Sequence, residues 1–138
     1  EARCKKETTR LLRKIGHDFG MAFQITDDLL DFSGNQAEVG KPICNDFLEG
    51  VYTLPVIYTV MNPIYKERME HYIGKKDLDE DDIRAIGGLV EESSGLDRSK
   101  KLAVRYLERC RTNLNALPAI PARAALDELV EELIGRKY

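Results

Sequence analysis

Several features that mark special protein classes are missing from this 138-residue chain. It has no tryptophan, only three cysteines, and too few prolines and glycines for a collagen-like or linker-rich protein. No apolar run approaches the roughly 20 residues that cross a bilayer. The 24 acidic and 21 basic residues leave a net charge of −3, which argues against a general nucleic-acid binder. A hydrophobic share of 43% allows a folded core and excludes a disordered composition.

The cysteines and histidines are too isolated to form an obvious metal site. Cys4, Cys44 and Cys110 are widely spaced and form no Cys-x-x-Cys motif, so neither a zinc site nor a redox pair is expected. We expect reduced thiols in a cytosolic protein. His17 and His71 stand alone, which is typical of packing or surface histidines.

The first residues, EARCKK, contain no apolar segment of the kind found in signal peptides. They also lack an initiator methionine. We therefore expect that the natural beginning of the protein is missing.

Apolar residues recur every three or four positions from about Thr8 to Phe32, which predicts a long helix. A loop is predicted over residues 34–45. Further helices are predicted from Phe47 or Thr53 to Val60, over residues 63–72, from Asp79, from Asp97 or Ser99, and over about residues 122–134. Residues 54–60 would also suit a strand, but no partner strand is present. The sequence therefore predicts an all-α fold of about six helices.

Three carboxylates crowd the end of the first helix. Asp27 and Asp31 are four residues apart and share a helix face, Asp28 lies beside them, and Gln24 lies one turn earlier. The negative end of the helix dipole disfavours anions there, so the arrangement is costly unless a cation binds. Clustered oxygen ligands suit Mg²⁺. The alternative is an acidic face exposed to solvent.

The flanks of this segment favour a cavity wall over a solvated surface. Gly16 and Gly20 lie one turn apart, and glycine weakens a helix, so a closely packed neighbouring helix is expected. Met21, Phe23 and Ile25 make most other sides apolar. Lys41, ten residues after Asp31, could return to the site and bind a phosphate that the metal also binds. Its alternative is an exposed loop lysine.

Residues 20–32, GMAFQITDDLLDF, resemble the second aspartate-rich motif of the trans-isoprenyl diphosphate synthases. Gly40-Lys41-Pro42, Asp46, Gly50 and residues 53–58 resemble the segment after that motif in polyprenyl synthases of the bacterial long-chain type, and residues 117–138 resemble their carboxyl terminus. The resemblance implies an isoprenoid-synthase-type helical bundle. Residues 1–138 would be the C-terminal part of one polyprenyl synthase domain, with the N-terminal half absent.

By this resemblance, the complete enzyme adds isopentenyl diphosphate to an allylic diphosphate and makes a longer polyprenyl diphosphate. Asp27, Asp28 and Asp31 would form a Mg²⁺ site, with Asp27 and Asp31 the preferred ligands. Lys41 would contact the allylic diphosphate and Gln24 would line the reaction site. The resemblance also implies a cytoplasmic homodimer without nucleic acid, and with at most peripheral membrane contact through its lipid product.

Some features of the family are absent from these residues. There is no first aspartate-rich motif and there are no upstream basic residues for isopentenyl diphosphate, so the chain alone is expected to be inactive. The acidic run over residues 77–82 is interpreted as helix capping and solvation. Val51 replaces a lysine of short-chain members, which favours the long-chain type, but product length is not determined.

Two other functions compete with this interpretation. A non-catalytic helical subunit or interaction module of the same fold is disfavoured because the three aspartates, Gln24 and Lys41 are all retained. A terpene cyclase is disfavoured because those enzymes usually carry a mixed Asn/Ser/Glu motif in place of the second aspartate cluster.

Overall fold

The all-α prediction is confirmed in a computed structural model, which describes residues 5–33 and 44–135. Within these two ranges there are seven helices and no strand. They are α1 (Lys6–Ser33), α2 (Asn45–Leu48), α3 (Leu54–Val60), α4 (Lys66–Glu70), α5 (Glu80–Glu92), α6 (Gly95–Asn115) and α7 (Pro121–Ile134).

One predicted boundary is settled and another needs correction. Of the two starts expected for the helix that ends at Val60, Thr53 is right: it is the N-cap of α3. Phe47 lies in the separate helix α2, and Gly50 adopts a left-handed φ of 80° between the two helices. The caps expected at Asp97 or Ser99 are wrong, since α6 already begins at Gly95. Ser99 is buried inside that helix, where its hydroxyl donates to the carbonyl of Gly95 at 2.9 Å. Most of the loop predicted over residues 34–45 lies outside the described residues.

The described residues fall into two compact units. The first contains residues 5–26 and 102–135. Its buried core comes from one face of α1, from α6, from α7 and from Leu117 in the connection between α6 and α7. These core residues are Ile15, Ala22, Leu107, Cys110, Leu114, Leu117, Val130 and Leu133. The same unit holds a buried carboxylate, Asp18, which is paired with Arg109 at 2.9 Å.

The second unit contains residues 27–33 and 44–101. Its core comprises Cys44, Phe47, Val56, Met69, Ile86, Leu89 and Val90. The N-cap predicted at the start of α5 is confirmed: Asp79 accepts from the backbone N–H of Asp82 at 2.8 Å, and Asp82 accepts from Asp79 in return. The acidic run therefore has the capping role expected from the sequence.

The thiols in the described ranges, Cys44 and Cys110, are free, and both are buried. Burial raises the pKa of Cys44 to about 12 and the pKa of Cys110 to about 11. Both groups therefore remain protonated and unreactive at neutral pH. Within the same ranges, no helix combines the length and apolar character that crossing a bilayer requires.

Gly95 starts α6 at a point where no side chain fits. A Cβ atom there would lie 2.5 Å from the carbonyl oxygen of Pro55 and 2.9 Å from the hydroxyl of Thr59. We expect Gly95→Ala to lower the free energy of unfolding by about 1–3 kcal/mol, because backbone must move to admit the methyl group. Urea denaturation measures this change.

Gly88→Ala in α5 is the matched control for Gly95→Ala. A Cβ at Gly88 meets nothing within 4 Å, so alanine there should be neutral or stabilising by up to about 1 kcal/mol. Equal urea midpoints for Gly95→Ala and the unsubstituted chain would show that α6 shifts freely at this position.

Candidate functional site

The predicted acidic residues lie at the carboxyl end of α1, and their environments differ. Asp27 is exposed, Asp28 is buried and Asp31 is half-buried. The Asp28 carboxylate accepts a hydrogen bond from the backbone N–H of Leu54 at 3.4 Å. Leu54 is the first residue of α3, so Asp28 interacts with the positive end of that helix.

Asp31 makes a similar interaction with α2. Its Oδ1 accepts from the backbone N–H of Asn45 at 3.0 Å, and its Oδ2 accepts from the backbone N–H of Asp46 at 3.3 Å. Its own carbonyl accepts from the N–H of Cys44 at 3.0 Å. The end of α1 and the start of α2 are thereby held together.

Asp46 joins this cluster, although the sequence pointed to it only through the family resemblance. Its pKa is raised by burial and then by the negative charges of Asp28, Asp27 and Glu49. Helical spacing relates residues three or four positions apart, so it could not have placed Asp46 near Asp31, which lies 15 positions earlier. Its place results from the fold of α2 against Asp31.

The pKa of Asp31 is also raised. Burial is the largest cause and the charge of Asp46 is the next, while the hydrogen bonds from the Asp46 and Asn45 backbone act in the opposite direction. The folded chain therefore binds protons at Asp31 and Asp46 more tightly than the unfolded chain does. As the pH rises through and above the ordinary aspartate range, these carboxyls lose their protons, and their contribution lowers the free energy of unfolding.

The clustered carboxylates fit a hard cation. Carboxylate oxygens are the ligands that Mg²⁺ prefers, and proteins commonly hold it with one or two carboxylates plus substrate phosphates and water. In the part of the chain that is described, no three histidine, cysteine or acidic side chains converge to hold a metal by themselves. The donor set therefore fits Mg²⁺ if a phosphate-bearing substrate supplies further ligands.

The other two predicted site residues are Gln24 and Lys41. Gln24 is exposed on α1, one turn before Asp28. Lys41 lies outside the described residues.

The close helix neighbour expected at Gly16 and Gly20 is not found among the described residues, since a Cβ at either position would meet nothing within 4 Å. Met21 and Phe23 are exposed, Phe23 by 46%. Ile25 is buried. The expectation that α1 is enclosed on nearly all sides is therefore wrong for the part of the chain that is described.

A family model described as Polyprenyl synthetase matches residues 1–90. These residues include all of α1 and the acidic cluster. The chain belongs to the polyprenyl synthetase family. This confirms the resemblance carried by residues 20–32.

Curated relatives of this polyprenyl synthetase chain extend over most of its length. It is 36% identical to heptaprenyl diphosphate synthase component 2 of Geobacillus stearothermophilus, covering 90% of this chain and 38% of the relative. It is 35% identical to the geranylfarnesyl diphosphate synthase of Aeropyrum pernix, covering 94% of this chain and 41% of the relative. The chain thus spans about two fifths of the length of these relatives.

A solved structure supports the predicted isoprenoid-synthase-type helical fold. The polyprenyl synthase of Caulobacter crescentus CB15, crystallised with calcium and isoprenyl diphosphate, is 33% identical and matches with a TM-score of 0.81. The match covers 98% of this polyprenyl synthetase chain and 42% of the Caulobacter chain.

Proposed function

We propose that this chain is the carboxyl-terminal part of a polyprenyl diphosphate synthase. The complete enzyme would add isopentenyl diphosphate to an allylic diphosphate and release a longer polyprenyl diphosphate. The observation that carries the proposal is the acidic cluster at the end of α1, inside the region that the family model matches. In this chain, that cluster is the feature best suited to diphosphate chemistry.

The residues at the end of α1 have distinct parts in this proposal. Asp27, Asp28 and Asp31 form the acidic face that would draw Mg²⁺. Bound Mg²⁺ would neutralise the charge that develops on the departing diphosphate. Lys41 would bind the allylic diphosphate as a positive point charge, and Gln24 would line the reaction site.

The cellular location and the subunit assembly of the complete enzyme are also proposals. The two buried free thiols support a reducing, cytoplasmic location. We propose a homodimer for the complete enzyme. The printed name of the Geobacillus relative, component 2, supports a second kind of subunit as the alternative assembly.

Reconstitution tests the proposed function. The chain would replace the corresponding carboxyl-terminal region of the Caulobacter polyprenyl synthase, which it matches with a TM-score of 0.81. With Mg²⁺, isopentenyl diphosphate and an allylic diphosphate, the chimera should form a longer prenyl product. The 138-residue chain alone should form none, because the rest of the synthase is absent. Product from the chain alone would overturn the proposal that it is a part of the catalytic domain.

A binding measurement covers the case in which the chimera does not fold. Isothermal titration calorimetry of the chain with farnesyl diphosphate should show binding in Mg²⁺ and none in EDTA. Binding of equal strength in both conditions would contradict a metal-dependent diphosphate site.

A further inference from the structure

On the basis of the proposed function, we propose that Asp31 is a positioning residue of the acidic site and not a ligand of its cation. Its carboxylate holds the first turn of α2, including the backbone of Asp46, against the end of α1.

The start of α2 depends on Asp31 because it has no cap of its own. The first N–H groups of any helix lack partners within the helix. The N-cap residue, Cys44, makes no side-chain capping bond and adopts a left-handed φ of 62°, which non-glycine residues rarely do. Asp31 supplies the missing acceptors, from a position 14 residues earlier in the chain.

Both carboxylate oxygens of Asp31 take part in this contact. Oδ1 receives the N–H of Asn45 at 3.0 Å and Oδ2 receives the N–H of Asp46 at 3.3 Å. Each oxygen of this carboxylate is therefore already engaged by a backbone donor of α2. Asp27, by contrast, is exposed at the preceding turn of the helix.

Asp28 shows the same arrangement at the next helix. Its Oδ2 accepts from the N–H of Leu54, the first residue of α3. The N-cap of α3, Thr53, also makes no side-chain capping bond. Two carboxylates of one motif therefore each act as the cap of a helix that comes later in the chain.

The contact at Asp31 determines where the fourth carboxylate lies. The backbone N–H of Asp46 donates to Oδ2 of Asp31 at 3.3 Å, which fixes the backbone of Asp46 against the end of α1. Without the Asp31 carboxylate, the start of α2 would lose two acceptors and Asp46 would lose its fixed position. The cation site would then be weakened indirectly.

The test compares Asp31→Asn, Asp31→Ala and the control Glu49→Gln in the 138-residue chain. Asparagine keeps one side-chain oxygen that can accept from the α2 backbone but lacks the negative charge that draws a divalent cation, whereas alanine offers neither. Glu49→Gln removes a nearby charge that acts on Asp46 without removing an acceptor for the α2 backbone donors. Amide hydrogen exchange at Asn45 and Asp46 is measured without metal, and Mn²⁺ affinity is measured by electron paramagnetic resonance in the presence of farnesyl diphosphate, which supplies the phosphate ligands.

We expect Asp31→Ala to lose exchange protection at both amides and to weaken Mn²⁺ binding by about tenfold or more. Asp31→Asn has one acceptor oxygen in place of two, so it should keep protection at one of the two amides and lose it at the other. Like Glu49→Gln, it should bind Mn²⁺ within roughly threefold of the unsubstituted chain. The inference is overturned if Asp31→Asn loses Mn²⁺ as fully as Asp31→Ala while one amide is still protected, since Asp31 would then be a ligand. It is also overturned if Asp31→Ala keeps full protection. Absence of Mn²⁺ binding in the unsubstituted chain would count against the proposed function, and the exchange arm alone would then decide whether Asp31 positions α2.

Discussion

Replacing Asp27 with alanine should reduce prenyl transfer by the Caulobacter chimera by about a hundredfold or more. Asp27 is the exposed carboxylate of the cluster, whereas Asp28 and Asp31 accept hydrogen bonds from the backbone of α3 and α2. Its loss removes a charge that would hold Mg²⁺ against the departing diphosphate. Steady-state kinetics with varied Mg²⁺ measure the effect on kcat.

Glu49→Gln is the matched control for Asp27→Ala. Glu49 also lies near Asp46 and is exposed, so its replacement removes a similar amount of negative charge from the same neighbourhood. We expect kcat to change little. If Asp27→Ala had unchanged kinetics, the end of α1 would be an ordinary acidic surface exposed to solvent, which is the alternative that the sequence leaves open.

Replacing Arg109 with alanine should clearly destabilise the first unit. Asp18 is only 1% exposed, and its Oδ1 accepts from Arg109 at 2.9 Å and lies 3.2 Å from His17 Nδ1. Removing one member of a buried pair leaves the other charge buried without compensation. We expect the free energy of unfolding to fall by about 2–3 kcal/mol, near the low end of such effects because the Arg109 side chain is largely exposed.

A double variant separates lost charge pairing from lost packing. Asp18→Asn combined with Arg109→Ala leaves no buried charge, so it should recover more than half of the stability that Arg109→Ala loses. Arg105→Ala, at an exposed position of the same helix, should be nearly neutral. Urea unfolding of all four proteins measures these differences. No loss in Arg109→Ala would mean that water already solvates the Asp18 carboxylate.

Helical periodicity predicts much of this fold because it is a local property. The first helix is predicted over about residues 8–32 and runs from Lys6 to Ser33, since its apolar residues repeat without interruption. The start of α3 at Thr53 is predicted only as one of two alternatives, because the sequence is also compatible with one helix from Phe47. The left-handed backbone of Gly50 decides between them, and it is seen only in the structure.

The acidic site is predictable in part for the same reason. Asp27, Asp28 and Asp31 are neighbours on one helix, so their proximity results from the helical repeat. Asp46 and the backbone donors of α2 come from a segment that folds back against α1, which local spacing cannot predict. The burial of Asp18 is likewise hidden in the sequence, because Arg109 is distant along the chain and adjacent only after folding.

The open space beside Gly16 and Gly20 has a consequence for protein engineering. Alanine at either position would reduce the conformational freedom of the unfolded chain and favour the helix by roughly 1 kcal/mol. Polar residues in place of the exposed Leu12 and Phe23 would improve the solubility of the isolated chain. The alanine methyl groups would fill the space beside Gly16 and Gly20, and the polar side chains would replace apolar contact area. Both changes would hinder the close packing of a second helix against this face of α1. A version optimised to exist alone would therefore be a poor component for rebuilding the complete synthase.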